Sequence, residues 1–107
     1  MPQFLYRIQP TRATMLAEGP TEAEAAIIGA HFRYLEQGVA DGTVLMAGRT
    51  LIPDEQAFGV VVFTAATEEA AAELMRNDPA VSQGVMTAQL FPFRVALWSK
   101  RVDASAP

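Results

Sequence analysis

One imidazole and one acidic residue ahead of a proline carry most of the chemistry this chain can offer. His31 is the single histidine among 107 residues. Imidazole is the side chain whose ordinary titration lies close to neutrality, so it can take or give a proton there. Asp78 stands in Asn77-Asp78-Pro79, where a predicted helix stops. If the fold brings the two together beside a cleft, the carboxylate fixes the tautomer of the ring and raises the basicity of its other nitrogen. If it does not, His31 is a packing residue and Asp78 a turn residue that bonds nearby backbone N–H groups.

Other polar residues are candidates for binding. Arg7, Arg12, Arg49 and Arg94 can each meet a carboxylate or phenolate bidentately. Arg12 and Arg49 sit in predicted loops and are the preferred substrate-binding candidates, the alternative being ordinary surface charge. Tyr34, like Tyr6, can donate to an oxyanion or simply fill the edge of a core. Ser82 has no activating base other than His31, and Met15, Met46 and Met86 read as apolar filling.

Composition narrows the function classes. The chain is 50% hydrophobic with a formal charge of −4, which disfavours nucleic acid, because such binding works by neutralising phosphates. The absence of cysteine removes disulfides, thiolate zinc sites and cysteine nucleophiles, and a single histidine argues against a structural metal site. No metal is expected. There is no GxGxxG or phosphate loop, so no nucleotide cofactor is expected either. The first fifteen residues do not read as a signal peptide and no stretch is apolar enough to span a membrane. A cytoplasmic protein is the default expectation.

Elements must position these residues. Phe4, Tyr6 and Ile8 alternate with Gln3, Leu5 and Arg7, predicting a first strand that Pro10 ends. An irregular connection over 10–20 could cover a site. Thr21 and Glu24 have capping-box spacing, predicting a helix to about Gly38 with Ile28, Phe32, Leu35 and Val39 as its buried seam and His31 beside it. Asp41-Gly42 makes a turn, and Thr43 to Gly48 is a second strand. Gly59 to Thr64 is a third, and its unbroken Val60 to Phe63 run predicts cover on both faces. Thr67 caps a second helix that buries Ala70, Ala71, Leu74 and Met75, with Asn77 as a left-handed end. Val85 to Leu90 and Phe93 to Trp98 form a fourth strand, bent or interrupted at Pro92.

The order βαββαβ predicts an α+β, ferredoxin-like domain over 1–99, a four-stranded antiparallel sheet with both helices on one face, followed by a flexible tail over 100–107. The helix-free face would expose more apolar surface than a monomer tolerates, so a homodimer packed through that face is expected.

Several motifs together carry a resemblance. His31-Phe32-Arg33-Tyr34-Leu35 followed by Gly38, Leu45-Met46-Ala47-Gly48, Asn77-Asp78-Pro79-Ala80-Val81 and Phe91-Pro92-Phe93-Arg94-Val95 occur in an order and spacing that resembles the YCII-related (YciI-like) family. The resemblance implies a dimeric α/β barrel. It also implies that a histidine of the first helix and an aspartate after the second, here His31 and Asp78, are the candidate active-site pair. Most members have no assigned reaction, and Arg49 departs from the proline common at its position. The expected function is a small cofactor-independent enzyme of lyase or isomerase type, moving a proton on a small cyclic or aromatic molecule. The alternative is a non-catalytic small-ligand-binding or dimerisation module.

Overall fold

A computed structural model describes residues 1–99; the expected tail over 100–107 lies outside the described residues. Strand β1 (Gln3–Pro10) is central and shows the alternation its sequence demands. Phe4, Tyr6 and Ile8 are buried and the residues between them are not. It pairs antiparallel with β3 (Gly59–Thr64) on one side and β4 (Met86–Phe93) on the other. Strand β2 (Val44–Arg49) completes the sheet order β2-β3-β1-β4.

The register sorts side chains between the faces. Phe4 opposes Phe63, Tyr6 opposes Val61 and Ile8 opposes Gly59 on the side covered by α2 (Glu22–Asp41) and α3 (Glu68–Arg76). There they join Leu35, Val44 and Ala71 in one core, with the Tyr6 ring edge-on to Phe63 at 5.6 Å. This is the ferredoxin-like α+β arrangement. On the helix-free side Val62 is buried by its neighbours but Val60 is only half-buried, so the Val60 to Phe63 run is fully covered on the helix side and only partly on the other.

Helix α2 begins where its capping box predicts. Thr21 Oγ1 accepts from the Glu24 N–H at 3.1 Å, and the Glu24 carboxylate accepts from the Thr21 N–H at 2.9 Å. It runs one turn past Gly38, to a left-handed Gly42 whose N–H bonds the Val39 carbonyl. Gly38 is inside the helix because the helix rests on β2 there. A Cβ at 38 would lie 2.5 Å from Val44 Cγ2, closer than packed atoms approach.

Five expectations change. On the predicted buried side of α3, Ala70 is exposed and Ala71 alone is fully buried. The 10–20 connection contains a helical turn, α1 (Met15–Glu18), that buries Met15. The predicted α2 seam is only partly core: Leu35 is buried, but Phe32 is 64% and Val39 53% exposed, because that stripe borders a cleft. Asn77 is right-handed (φ −83°), since the chain turns directly into a second short helix, α4 (Pro79–Ser82). Strand β4 passes through Pro92 and ends at Phe93, and no strand follows among the described residues. Pro92 is tolerated because β4 is an edge strand, where a missing N–H costs no ladder bond.

Candidate functional site

Asp78 is fully buried, and a buried carboxylate must find donors. It finds them on three elements. As N-cap of α4, with Pro79 in the first helical position, it accepts the Ala80 N–H on Oδ1 at 3.0 Å. From β1 the Tyr6 hydroxyl donates to Oδ2 at 2.6 Å. From α2, His31 Nδ1 lies 2.7 Å from Oδ1 and 2.8 Å from Oδ2. Burial and the adjacent Asp78 charge push the Tyr6 phenol well above its ordinary range, so it stays a donor. A phenol and an amide both donating leave Asp78 as an acceptor, and the proton between it and the ring then belongs to Nδ1.

That tautomer puts the lone pair of the imidazole on Nε2. Nε2 makes no hydrogen bond to the described residues, and it is not sealed. The one buried side-chain nitrogen or oxygen lacking a partner among them is Arg7 Nε. His31 borders a cleft of about 700 Å³ between α2, α1 and the β2 and β3 ends, walled by Ile28, Phe32, Val39, Met15, Ala57 and Phe58. The size and apolar lining suit a small ring compound. The arrangement can therefore present a base, held and polarised from behind, to a molecule in an apolar hollow.

A model of the YCII-related domain matches residues 3–94, the span from the first residue of β1 to just past β4. The chain belongs to the YCII-related family. A search of curated proteins finds none that matches. Among solved structures, this YCII-related chain is similar to 5-chloro-2-hydroxyhydroquinone dehydrochlorinase from Burkholderia phenoliruptrix, solved in complex with 2,5-dihydroxybenzoquinone. The TM-score is 0.64 with 19% identity, over 86% of this chain and 93% of that one. At that identity the likeness is one of fold.

The remaining candidates of this YCII-related domain separate. Arg12 is spent on its own loop. Its five N–H bonds go to Glu24 (3.0 and 2.7 Å), Glu18 (2.9 Å), Thr14 (3.0 Å) and the Gly19 carbonyl (2.9 Å). A guanidinium has no sixth donor for a ligand. The same contacts hold the Glu24 carboxyl down to about 2, chiefly through the Arg12 bonds and then the Thr21 N–H. Tyr34 turns away from the cleft to bond the Leu74 carbonyl at 2.6 Å, tying α2 to α3. Arg49 does line the cleft, whereas Arg7 lies against the Phe58 ring, 4.5 Å from its centroid.

Sequence reasoning undervalued Tyr6, which is the third member of the His31–Asp78 cluster. Its signal was present. A phenol at a core-facing position of a strand, between Phe4 and Ile8, needs a buried partner for its hydroxyl. Asp78-Pro79 likewise has the form of an N-cap followed by proline at the first helical position, which announces α4 and hence a carboxylate held rigidly at a helix start.

Proposed function

We propose that this protein is a small enzyme of lyase or isomerase type, working in the cytoplasm, in which His31 Nε2 accepts a proton from a small cyclic or aromatic molecule bound in the cleft. The observation that carries the reading is an imidazole bordering an apolar hollow, with Nδ1 committed to a buried carboxylate and Nε2 without a partner among the described residues. Asp78 orients the ring and stabilises the imidazolium as it forms. The proton then returns to another atom of the substrate in an isomerisation, or leaves with the departing group in an elimination. Proton transfer of this kind draws on side chains alone. The similar solved protein, named as a dehydrochlorinase and holding a dihydroxybenzoquinone, supports a six-membered ring as the kind of molecule the hollow accepts.

The same reading includes a homodimer through the helix-free sheet face. Met46, Val62, Leu5 and Phe91 oppose one another in a single row across all four strands of that face. Met46 and Phe91 are each 42% exposed. A row of this kind on a sheet face favours packing against a second sheet. Light scattering at micromolar concentration should give twice 11.6 kDa; the monomer mass would remove this part.

The catalytic part is tested by screening small phenolic, lactone and halogenated compounds for thermal stabilisation and then for turnover. His31→Asn and Asp78→Asn should each lower turnover by about 10²- to 10⁴-fold, the usual worth of a positioned base. Full turnover in His31→Asn would refute it. A binding or dimerisation module, by contrast, would take up ligand in the wild type with no conversion at all.

A further inference from the structure

The substrate class can be narrowed from the charges around the cleft. Among the residues that line it, those with ionisable side chains are His31, Glu36 and Arg49. Arg49 ends β2 opposite Gly59, which is itself opposite Ile8, so Arg49 stands on the helix-covered side of the sheet. Gly59 keeps this row low. A Cβ there would meet Ile8 Cγ1 at 3.1 Å and the Gly48 carbonyl at 3.3 Å, so the strand between Arg49 and Ile8 carries no side chain into the cleft floor.

Among the described arginines only Arg12 forms an ion pair, and what sets Arg49 apart from the other unpaired ones, Arg7, Arg33, Arg76 and Arg94, is that it lines the cleft. Arg12 takes two carboxylates and every donor it has is used. Arg7 lies against an aromatic ring. Arg49 pairs with no carboxylate among the described residues, although acidic residues outnumber basic ones by twelve to eight in the whole chain. Glu36, on the same cleft, forms no ion pair with it. A guanidinium with free donors beside an apolar hollow is a receptor for a planar oxyanion.

We propose that the cleft takes a ring bearing an anionic oxygen group, a carboxylate or an ionised phenol or enol, which Arg49 binds while the ring lies against the apolar wall towards His31 Nε2. This rests on the cleft reading above and adds the charge of the ligand. Arg49 is then a specificity residue that selects and orients the substrate, and Glu36 acts against a second negative group on the same side.

The test uses His31 as a reporter, since a single histidine gives one set of imidazole NMR signals. Two matched pairs serve as probes: benzoate with benzamide for the carboxylate, and 2,5-dihydroxybenzoquinone with its dimethyl ether for the ionised enol. Each is titrated to millimolar concentration into wild type, Arg49→Ala, Arg49→Lys and Glu36→Gln, with melting temperatures to show that the variants fold. At least one anion should shift the His31 signals with tenfold or greater preference over its neutral partner. That preference should vanish in Arg49→Ala, survive weakened in Arg49→Lys and increase in Glu36→Gln; the pair that shows it names the anionic group. If neutral and anionic probes move His31 equally and Arg49→Ala changes nothing, the Arg49 assignment fails while the cleft remains a ring-binding site. If no probe moves His31 in any form, the cleft reading falls and this inference with it.

Discussion

Replacing Tyr6 by phenylalanine isolates the least obvious bond of the site. The substitution keeps the ring that packs on Phe63 and removes only a hydroxyl, fully buried and 2.6 Å from Asp78 Oδ2. Asp78 keeps His31 and Ala80 as donors, and no water can replace the lost one without a cavity larger than an oxygen atom. A hydrogen bond to a charged acceptor contributes about 1.5–3 kcal/mol. With an unfolding entropy of roughly 2.1 cal/mol/K per residue over the 107 residues, that is a fall in melting temperature of about 7–13 °C. Calorimetry at pH 7 reads it directly. A second signature lies at alkaline pH. The folded phenol is held above its ordinary value by burial first and by Asp78 second, so above about pH 10 the unfolded chain loses this proton before the folded one. Stability from this group is therefore full below about pH 10 and declines by about 1.4 kcal/mol per pH unit above it. Tyr34 is also raised, through burial and then Asp78, and contributes in the same direction. Tyr6→Phe should remove only its own share of the decline. A melting temperature within 2 °C of wild type, or an unchanged alkaline slope, would refute the bond between phenol and carboxylate.

Other expectations follow from the same contacts. Gly38→Ala should destabilise by about 1 kcal/mol in denaturant titration. Helix propensity favours alanine by about 0.8–1.0 kcal/mol, but overpacking against the stiff Val44 side chain costs about 1–3 kcal/mol; a gain in stability would show that α2 is free to lift. Phe32→Ser should barely change stability, since the ring is 64% exposed, yet should weaken ring ligands in the cleft, while Leu35→Ala should cost about 2–5 kcal/mol. Chemical denaturation of both variants tests this, and equal losses would restore Phe32 to the core. Glu24, held down to about 2 against an ordinary 4.5, should contribute stability that is present above pH 4.5 and lost as pH falls towards 2. Glu24→Gln should flatten that acid limb in melting curves, and an unchanged limb would mean that the loop clasp with Arg12 is not formed in solution.

The sequence was most legible where a single local rule acts. The capping box at Thr21 and Glu24, the alternation of Phe4, Tyr6 and Ile8, and the unbroken run in β3 each follow from short-range geometry, and each is present in the structure. Legibility fell where the answer depends on depth. Periodicity puts Ile28, Phe32, Leu35 and Val39 on one face of α2, but it cannot tell a face pressed on a sheet from one that overhangs a hollow. Leu35 is buried in the core cluster with Tyr6, Ile8 and Val61 while also touching the cleft, whereas Phe32 and Val39 border the cleft and stay exposed, so the same stripe is core at one point and cleft wall at the others.

The same limit explains the reading of Asp78. Local rules assign it a turn or cap role, and pairing with His31 assigns it a place in the site, as if one excluded the other. In the structure one carboxylate does both, because it has more lone pairs than either role uses. The capping bond fixes the carboxylate to a rigid helix start, Tyr6 closes its second oxygen, and the ring nitrogen takes the directions left over. A base that must hold one orientation gains from an anchor of this kind, whose position is set by backbone rather than by a free rotamer. The cap is therefore part of the site: Pro79 and the α4 turn position His31 as surely as α2 does, which is why three elements far apart in the chain converge on two oxygen atoms.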